Sequence, residues 1–504
     1  MSANFSDPPP GAEASTAWKS VEEQRGPAPA PPGGQLPCDP PLREYAAPAS
    51  WHPPVVPPAP PRPASPADPY RRFVTPPGYM PYGAYPGYGY AWPVLPPRPK
   101  RDTYTLVVGI VAFIGSCLAV IGGLGCAALT LLAMFERSVG LLPFSSDQYF
   151  ASVMEYLTLG VAGLVGGGFC FYHSLCSLFL RKPSGTIWLP RFWMFVLGYL
   201  ATLGVGFWLH TQGMDVAAPV GLGLLIILAG IFPALAIMAL GIRRVRFPRS
   251  GAWPTTWRRL VLALVSGATL SIALASLLEL IFGLLLAGAQ SGDFLQFLKN
   301  PAASDSPLFG VLVILAAVVA PLIEELVKPL AVLALVGRVQ SKAEAFTLGL
   351  ACGIGFNLVE TTGYISQGYN DWLNVALGRS GAGLLHGFGA AMVALGWYIL
   401  THPQEGSRRR RSWLAFSCGG YAIAQHALWN GSVALVLLPG PLGAFFQTWS
   451  WNLGPLYVDG YELVNIAEVG AILVFFLYIA GRLRTRPTPP APPARETASA
   501  VVPT

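Results

Sequence analysis

Ten apolar runs, each long enough to cross a hydrocarbon layer about 30 Å thick, dictate what this chain can become. They lie near 105–134, 156–180, 192–210, 217–241, 260–288, 308–336, 345–366, 381–401, 413–438 and 461–480. Inside a bilayer every backbone N–H and C=O must find its partner within the protein. Segments of this length meet that demand as helices. Composition agrees: 53% of the 504 residues are hydrophobic and only 11% charged, whereas a soluble domain keeps about a quarter of its residues charged. The fold class expected is all-α, a polytopic transmembrane bundle of about ten spans.

The two ends read differently. Twenty-eight of the 49 prolines fall in the first hundred residues, and six more lie between Arg484 and Thr504. Such segments cannot bury enough apolar surface to offset chain entropy, so both tails are expected to be disordered. The Tyr-Gly-Pro stretch from Gly78 to Trp92 reads as linker. The organisation is therefore a Pro-rich tail (1–103), an N-terminal membrane region of about five spans (104–306), a second membrane region (307–440), an outer loop with the last span (441–483), and a short tail (484–504). Six of the seven cysteines lie inside apolar runs with no CxxC or CxxH spacing, which makes them small packing residues.

Basic residues set the orientation. With the N-terminus inside, one side of the membrane carries twenty-one Lys and Arg, among them Arg98, Arg181, Arg243, Arg338, Arg408 and Arg482. The other side carries only Arg137, Lys299 and Arg379. The excess marks the cytoplasmic face, so both termini are expected to be cytoplasmic, with the plasma membrane as the site. The net charge of +7 is thus spent on helix ends, and no basic patch with interleaved aromatics argues for nucleic acid. Aromatic or amphipathic outer pieces, Asp293 to Lys299 and Phe445 to Trp451, suit interfacial anchoring.

Charged groups within a span cost about 2.5–3.5 kcal/mol each on insertion scales, so they point to function. Run six holds Pro321, Glu324, Glu325, Lys328 and Pro329. Glu324 and Lys328, at i and i+4, share a face and can pair, while Glu325 points about 100° away. Pro321 suits the start of a half-helix, whose first turn favours carboxylates. Run seven follows Gly349, Gly353 and Gly355, which permit close helix approach, with Glu360. Run eight carries His386, and run nine carries His426 and Asn430 on one face. Glu324, Glu325 and His426 fall near mid-membrane, and Glu360 and His386 toward the outer side. Four consecutive helices thus offer acids, imidazoles and an amide at similar depths. Glu155, Glu279 and Glu468 line a wet cavity or pair within the bundle, His173 reads as a core histidine, and His210 and His402 as interfacial.

With those residues in view, the stretch from about Leu308 to Leu438 resembles the PrsW family of intramembrane proteases, distant relatives of CAAX prenyl endopeptidases. The resemblance rests on APLIEELVKP (320–329), GLACGIGFNLVETTGY (349–364), His386 in LLHGFGAAM (384–392) and HALWNG (426–431). It implies an intramembrane endopeptidase acting on a membrane-anchored protein within or near the extracytoplasmic side of the bilayer, with an anti-sigma-factor-like regulator as one such substrate. The partners expected are that substrate and the lipid bilayer.

Peptide hydrolysis needs an activated water and donors for the developing oxyanion. Glu324 or Glu325 is expected to activate the water, and His426 and Asn430 to polarise the carbonyl or hold its oxyanion. His386 and Glu360 are expected to orient the water or complete the site, and Lys328 to keep one carboxylate charged. The cofactor stays open between none and zinc. The zinc version would use His386, His426 and a carboxylate as three protein ligands; the absence of HExxH inclines the reading toward a metal-free glutamate mechanism. Two other functions remain: a non-catalytic membrane scaffold of the same fold, and a transporter or proton relay, which the lack of an apparent inverted repeat disfavours.

Overall fold

In the computed structural model of the chain, the residues described are 103–139, 146–180, 182–213, 219–246, 253–289, 313–432, 435, 440–453 and 456–484. The two Pro-rich tails expected to be disordered, and the outer piece Asp293 to Lys299, lie outside them. Where they are described, the ten apolar runs are largely helical, and the described residues form an all-α bundle with a single two-stranded hairpin. Among the described residues, seven helices are long and apolar enough to cross a membrane by length and composition, so the count of about ten spans is not established. The shortfall has a physical source: run six is broken, run seven is loaded with polar residues, and the helix that carries run nine opens on four arginines and holds Gln425, His426 and Asn430.

The first region consists of α1 (Thr103–Val139), α2 (Ser146–Val161) running through a π-turn at Ala162–Gly166 into α3 (Gly167–Leu178), α4 (Phe192–Thr211), and α5 (Pro219–Val245). Next come α6 (Trp257–Ser266), a second π-turn at Gly267–Ser271, and α7 (Ile272–Ala289). A third π-turn, Leu315–Val319, leads into α8 (Ala320–Val327), followed by α9 (Leu330–Ala334). Pro321 explains this last irregularity, since it has no N–H to give and its ring crowds the preceding turn. The remainder is α10 (Lys342–Gln367), α11 (Trp372–Gly378), α12 (Ala382–Thr401), α13 (Arg408–Gly431), α14 (Gly440–Thr448), the strands β1 (Ser450–Leu453) and β2 (Leu456–Asp459), and α15 (Gly460–Arg482).

Helix starts are written locally. Ser341 accepts from the Glu344 N–H at 3.1 Å to cap α10, Ser407 caps α13, and Asp459 with Glu462 forms a capping box at α15, each satisfying N–H groups that a helix leaves free. The hairpin lies in the stretch expected to be an outer loop, and the all-α expectation did not include it. Trp451, Tyr457 and Val458 supply the aromatic and β-branched residues that suit strands.

The core is built on α10 and α12, whose residues are buried on nearly every face. Their close approach is made of glycine. A Cβ on Gly353 would stand 2.1 Å from the carbonyl oxygen of His386, and one on Gly355 would stand 1.8 Å from that of Leu264 on α6. No side chain fits at either distance. The N-terminal spans buttress this pair from outside: Gly230 on α5 abuts Thr362, Gly383 on α12 abuts Ala234, and Gly206 on α4 abuts Trp372 on α11. An apolar cavity of about 290 Å³ between α2, α3, α5, α6 and α10 is lined by Val161, Phe169, Ile231, Trp257, Val265 and Thr362 among others. None of the acids or histidines of runs six to nine lines it.

Candidate active site

Run six bends at two prolines, and the acids sit between them. The sequence expectation placed Glu324 and Glu325 in the first turn of a half-helix. The structure instead keeps Val319 in helical geometry ahead of Ala320, so α8 continues the π-turn and the acids fall in its second turn. Their charge is compensated by side chains. The break at Lys328–Pro329 is compensated too, for Ser271 on the second π-turn donates its hydroxyl to the Lys328 carbonyl at 3.1 Å. Irregular backbone at membrane depth persists only where such partners exist.

Lys328 is the centre of the cluster. Its ammonium is fully buried and stands 2.8 Å from Glu324 Oε2, 2.8 Å from Glu325 Oε1 and 2.6 Å from His386 Nδ1. It also lies 4.5 Å from the centroid of the Phe356 ring. The pairing of Glu324 with Lys328 expected from their i, i+4 spacing is present. Glu325 joins it as well, because residues three apart on a helix are also neighbours.

The histidines meet this acid–lysine group from two other helices. The His386 and His426 rings stand edge to face with centroids 4.9 Å apart. Each turns one nitrogen to a glutamate that holds it: His426 Nδ1 lies 3.0 Å from Glu325 Oε1, and His386 Nε2 lies 2.7 Å from Glu360 Oε2. Their other nitrogens face Glu324, with His386 Nδ1 at 4.0 Å and His426 Nε2 at 3.8 Å from its Oε2. His386 Nδ1 takes a hydrogen bond from the lysine ammonium only as a lone-pair acceptor, which places its ring proton on Nε2, toward Glu360.

Why these side chains converge is legible in the backbone around them. Gly353 lets α10 lie against the His386 carbonyl, fixing that histidine's height relative to Glu360 two turns along. Gly389, one turn after His386, leaves the space that Glu325 Oε2 occupies, since a Cβ there would stand 2.4 Å from that oxygen. Gln425, beside His426, donates to the Leu385 carbonyl at 2.9 Å and ties α13 to α12.

Five of the sequence-predicted residues, Glu324, Glu325, Glu360, His386 and His426, thus come together around Lys328. The Asn430 side chain is engaged elsewhere. Its amide donates to the carbonyl of Ala316 at 2.9 Å, inside the π-turn that precedes Pro321, so it clamps the irregular start of run six. Two contributors, Arg379 and Gln425, went unrecognised in the sequence, and a third, Glu279, was read there as lining a wet cavity or pairing within the bundle. Arg379, counted there only as a loop charge, reaches Glu360 Oε1 at 3.2 Å and lies over the Tyr364 ring at 4.4 Å. Glu279 on α7 lies within hydrogen-bonding reach of Glu324, and Gln425 ties α13 to α12. The signal for Arg379 was available: it is one of three cations on the side that otherwise carries almost none. The cluster is sealed at Glu325, Lys328 and His426, and it is least covered at Glu360 and Arg379.

A carboxylate and two imidazoles, Glu324, His386 and His426, bring one ligand atom each within 4.8 Å of one another. This set fits a divalent ion on two observations. Its donors are the two histidines and one glutamate of a catalytic zinc site. Glu324 Oε2 and His426 Nε2 are also buried without a hydrogen-bond partner, although the lysine ammonium lies at ion-pair distance from the former. Moreover, each histidine's second nitrogen is held by a further carboxylate, the arrangement that orients imidazole ligands.

Residues 255–478 match the family described as PrsW family intramembrane metalloprotease. The match begins at the start of α6 and ends within α15, wider at both ends than the stretch from Leu308 to Leu438 in which the motifs were read. No curated protein and no solved structure matches the chain.

Proposed function

On the premise that residues 255–478 are a PrsW-family intramembrane metalloprotease region, we propose that the chain hydrolyses a peptide bond of a membrane-anchored protein, on the extracytoplasmic side of the bilayer and with a divalent metal. The observation that carries this reading is the pair of carboxylate–histidine contacts, Glu325 to His426 and Glu360 to His386, which leave two imidazole nitrogens turned toward Glu324.

Glu324, His386 and His426 would hold the ion, and zinc suits the donor set. When bound, it would supply Lewis-acid polarisation of the scissile carbonyl and of the attacking water. The rest is done by the chain. Glu360 accepts the His386 Nε2 proton and keeps that ring in one tautomer. Arg379 holds Glu360 in place. Glu325 orients His426 through Oε1, and its carboxylate is the proton acceptor in this scheme. Lys328 pairs with both adjacent glutamates and so offsets buried charge that would be costly alone. Leaving-group protonation returns the proton from Glu325 to the amine. Family likeness supports a substrate of the anti-sigma-factor type. The low count of basic residues beside Arg379 supports placing the open end of the cluster, and both termini, on opposite faces, with the termini cytoplasmic in a plasma membrane.

One observation favours a second, metal-free version. Lys328 already stands among the same atoms, 2.8 Å from Glu324 Oε2 and 2.6 Å from His386 Nδ1, so the chain itself supplies a cation there. Glu324 would then activate water, and His426, protonated on both nitrogens, would donate from Nε2 to the oxyanion. Chelation separates the two. Purified protein in nanodiscs, treated with phenanthroline and then zinc while cleavage of a single-span reporter is followed, is expected to lose and regain activity. Full activity in protein shown by elemental analysis to be metal-free would establish the glutamate version instead.

A further inference from the structure

The hairpin has two unlike edges. Gly460 donates its N–H to the Trp449 carbonyl at 3.1 Å, which fixes the phase of the ladder. With Trp451 opposite Val458 and Asn452 opposite Tyr457, the bonded pairs alternate. The backbone groups of Tyr457 and Asp459 therefore face away from β1, and those of Ser450 and Asn452 face away from β2.

The outward N–H groups of β2 are taken. Tyr457 donates to Asn374 Oδ1 at 3.0 Å and Asp459 to Glu462 Oε2 at 2.9 Å. Those of β1 are not: among the described residues, nothing accepts from Ser450 or Asn452, and both are exposed. Open edges are usually blunted by a charge, a proline or a bulge. The β1 sequence, Ser-Trp-Asn-Leu, contains neither a charge nor a proline, and its register is regular. Trp451 within it, and Leu442 and Phe445 on the preceding α14, are exposed apolar side chains, suited to headgroup depth.

The hairpin is tied to the catalytic cluster through its other strand, β2. The Tyr457 hydroxyl donates to Asp371 Oδ2 at 2.8 Å, and that bond pushes the phenol's pKa above its usual range, so the proton stays in the contact. Asp371 and Asn374 belong to the segment that runs along α11 into Arg379, about 8 Å of helix rise beyond Asn374. Arg379 in turn holds Glu360, and Glu360 holds His386. Hydrolysis requires an extended peptide, because helical carbonyls are bonded and sheltered within their own helix. A free strand edge recognises an extended peptide through backbone hydrogen bonds.

We propose that the outer edge of β1 is the docking strand for the substrate, adding the extended segment where it leaves the membrane as a third strand on a hairpin that β2 anchors to the segment leading to Arg379. This rests on the peptidase reading, and its test separates the two. The probe is a fluorescein-labelled peptide with one Leu-rich span followed by Thr-Val-Thr-Val-Thr-Val, in nanodiscs. Two versions are N-methylated on alternate residues, at all Thr or at all Val nitrogens, which removes the donors of one strand edge or the other. Binding is read by anisotropy on the intact protein and on Asn452→Pro, which removes one outward N–H at an edge position where proline is tolerated. Cleavage is read separately.

One methylated version is expected to bind about tenfold or more weakly while the other binds as the parent does. Asn452→Pro is expected to lose that discrimination and to raise KM with kcat held. Equal weakening by both methylation patterns, no weakening by either, or no binding of the parent peptide overturns the docking strand. Phase-dependent binding without cleavage would leave the edge standing and remove the peptidase reading.

Discussion

The segment that carries His386 and the first span are both apolar helices of similar length, and they are packed in opposite ways. In the stretch Tyr369–Thr401, 89% of the most apolar window is buried inside the protein, against 11% in Leu106–Phe135 of α1. In water, a helix buried all round would be the more hydrophobic of the two. Here the order reverses, with mean hydropathy 1.5 for the buried stretch and 2.5 for α1. Lipid explains it, since it rewards apolar groups on the outside, and the interior is free to hold what lipid rejects. The polar cluster sits where protein replaces lipid on most sides, Glu360 and Arg379 being its least covered members.

The sharpest way to break this comparison is to change the interior chemistry without changing its volume. Glu325→Gln keeps shape and removes the anion that faces Lys328 and His426. Peptide cleavage in nanodiscs is expected to fall by about 10²–10⁴-fold, while the yield of inserted, monodisperse protein is unchanged. Activity within a few-fold of wild type would show that the buried cluster is structural, and the contrast with α1 would then concern packing alone.

A smaller effect is expected one layer out. Arg379 touches Glu360 and not the group that could hold a metal, so it acts as a positioning residue. Arg379→Ala is expected to lower kcat by about 10–100-fold, the usual range for loss of a carboxylate–histidine support, with KM nearly unchanged and partial recovery in Arg379→Lys. An equal loss in both variants, accompanied by a lower unfolding temperature, would assign Arg379 to stability instead.

Much of this interior was legible in the sequence, for reasons particular residues make plain. Glu324, Glu325, Glu360, His386 and His426 stood out because each is costly in lipid, and an uncompensated cost at membrane depth implies company. Gly349, Gly353 and Gly355 announced close approach, which the structure shows as α10 pressed against α12 and α6. What could not be read was direction. Asn430 shares a helix face with His426, yet its amide serves the Ala316 carbonyl, a demand created by a π-turn that no spacing reveals. Arg379 was hidden by its position outside the runs, and the hairpin by the aromatics that also mark interfaces. The span count faltered at run six, where Pro321 and Pro329 interrupt the helix, and at runs seven and nine, where function and basic flanks lower hydropathy.

Glycine tests the packing side of the contrast. Gly353→Ala would drive a methyl group to 2.1 Å from the His386 carbonyl oxygen. Backbone cannot yield locally at that distance, so α10 and α12 must separate. The expected cost is about 1–3 kcal/mol, seen as a lower unfolding temperature, with cleavage reduced as well because the displaced carbonyl belongs to a cluster residue. Unchanged stability and activity would mean that the interface is looser than the contact implies.

The smallest expected effect lies in α1, and two adjacent glycines there sharpen the comparison within one helix. Gly123 faces inward: a Cβ on it would stand 2.7 Å from the backbone nitrogen of Leu164, at the π-turn between α2 and α3. Gly122, next in sequence and rotated by about 100°, has nothing within 4 Å. Gly123→Ala is therefore expected to lower the unfolding temperature by a few degrees while leaving kcat alone, since α1 touches no residue of the polar cluster. Gly122→Ala is expected to be neutral or slightly stabilising, because alanine is the better helix former and lipid accommodates the methyl group. If both variants unfold alike, the side of α1 that meets the bundle has been misjudged. A loss of cleavage in Gly123→Ala at unchanged stability would instead extend the functional core through α2 and α3 to the first span.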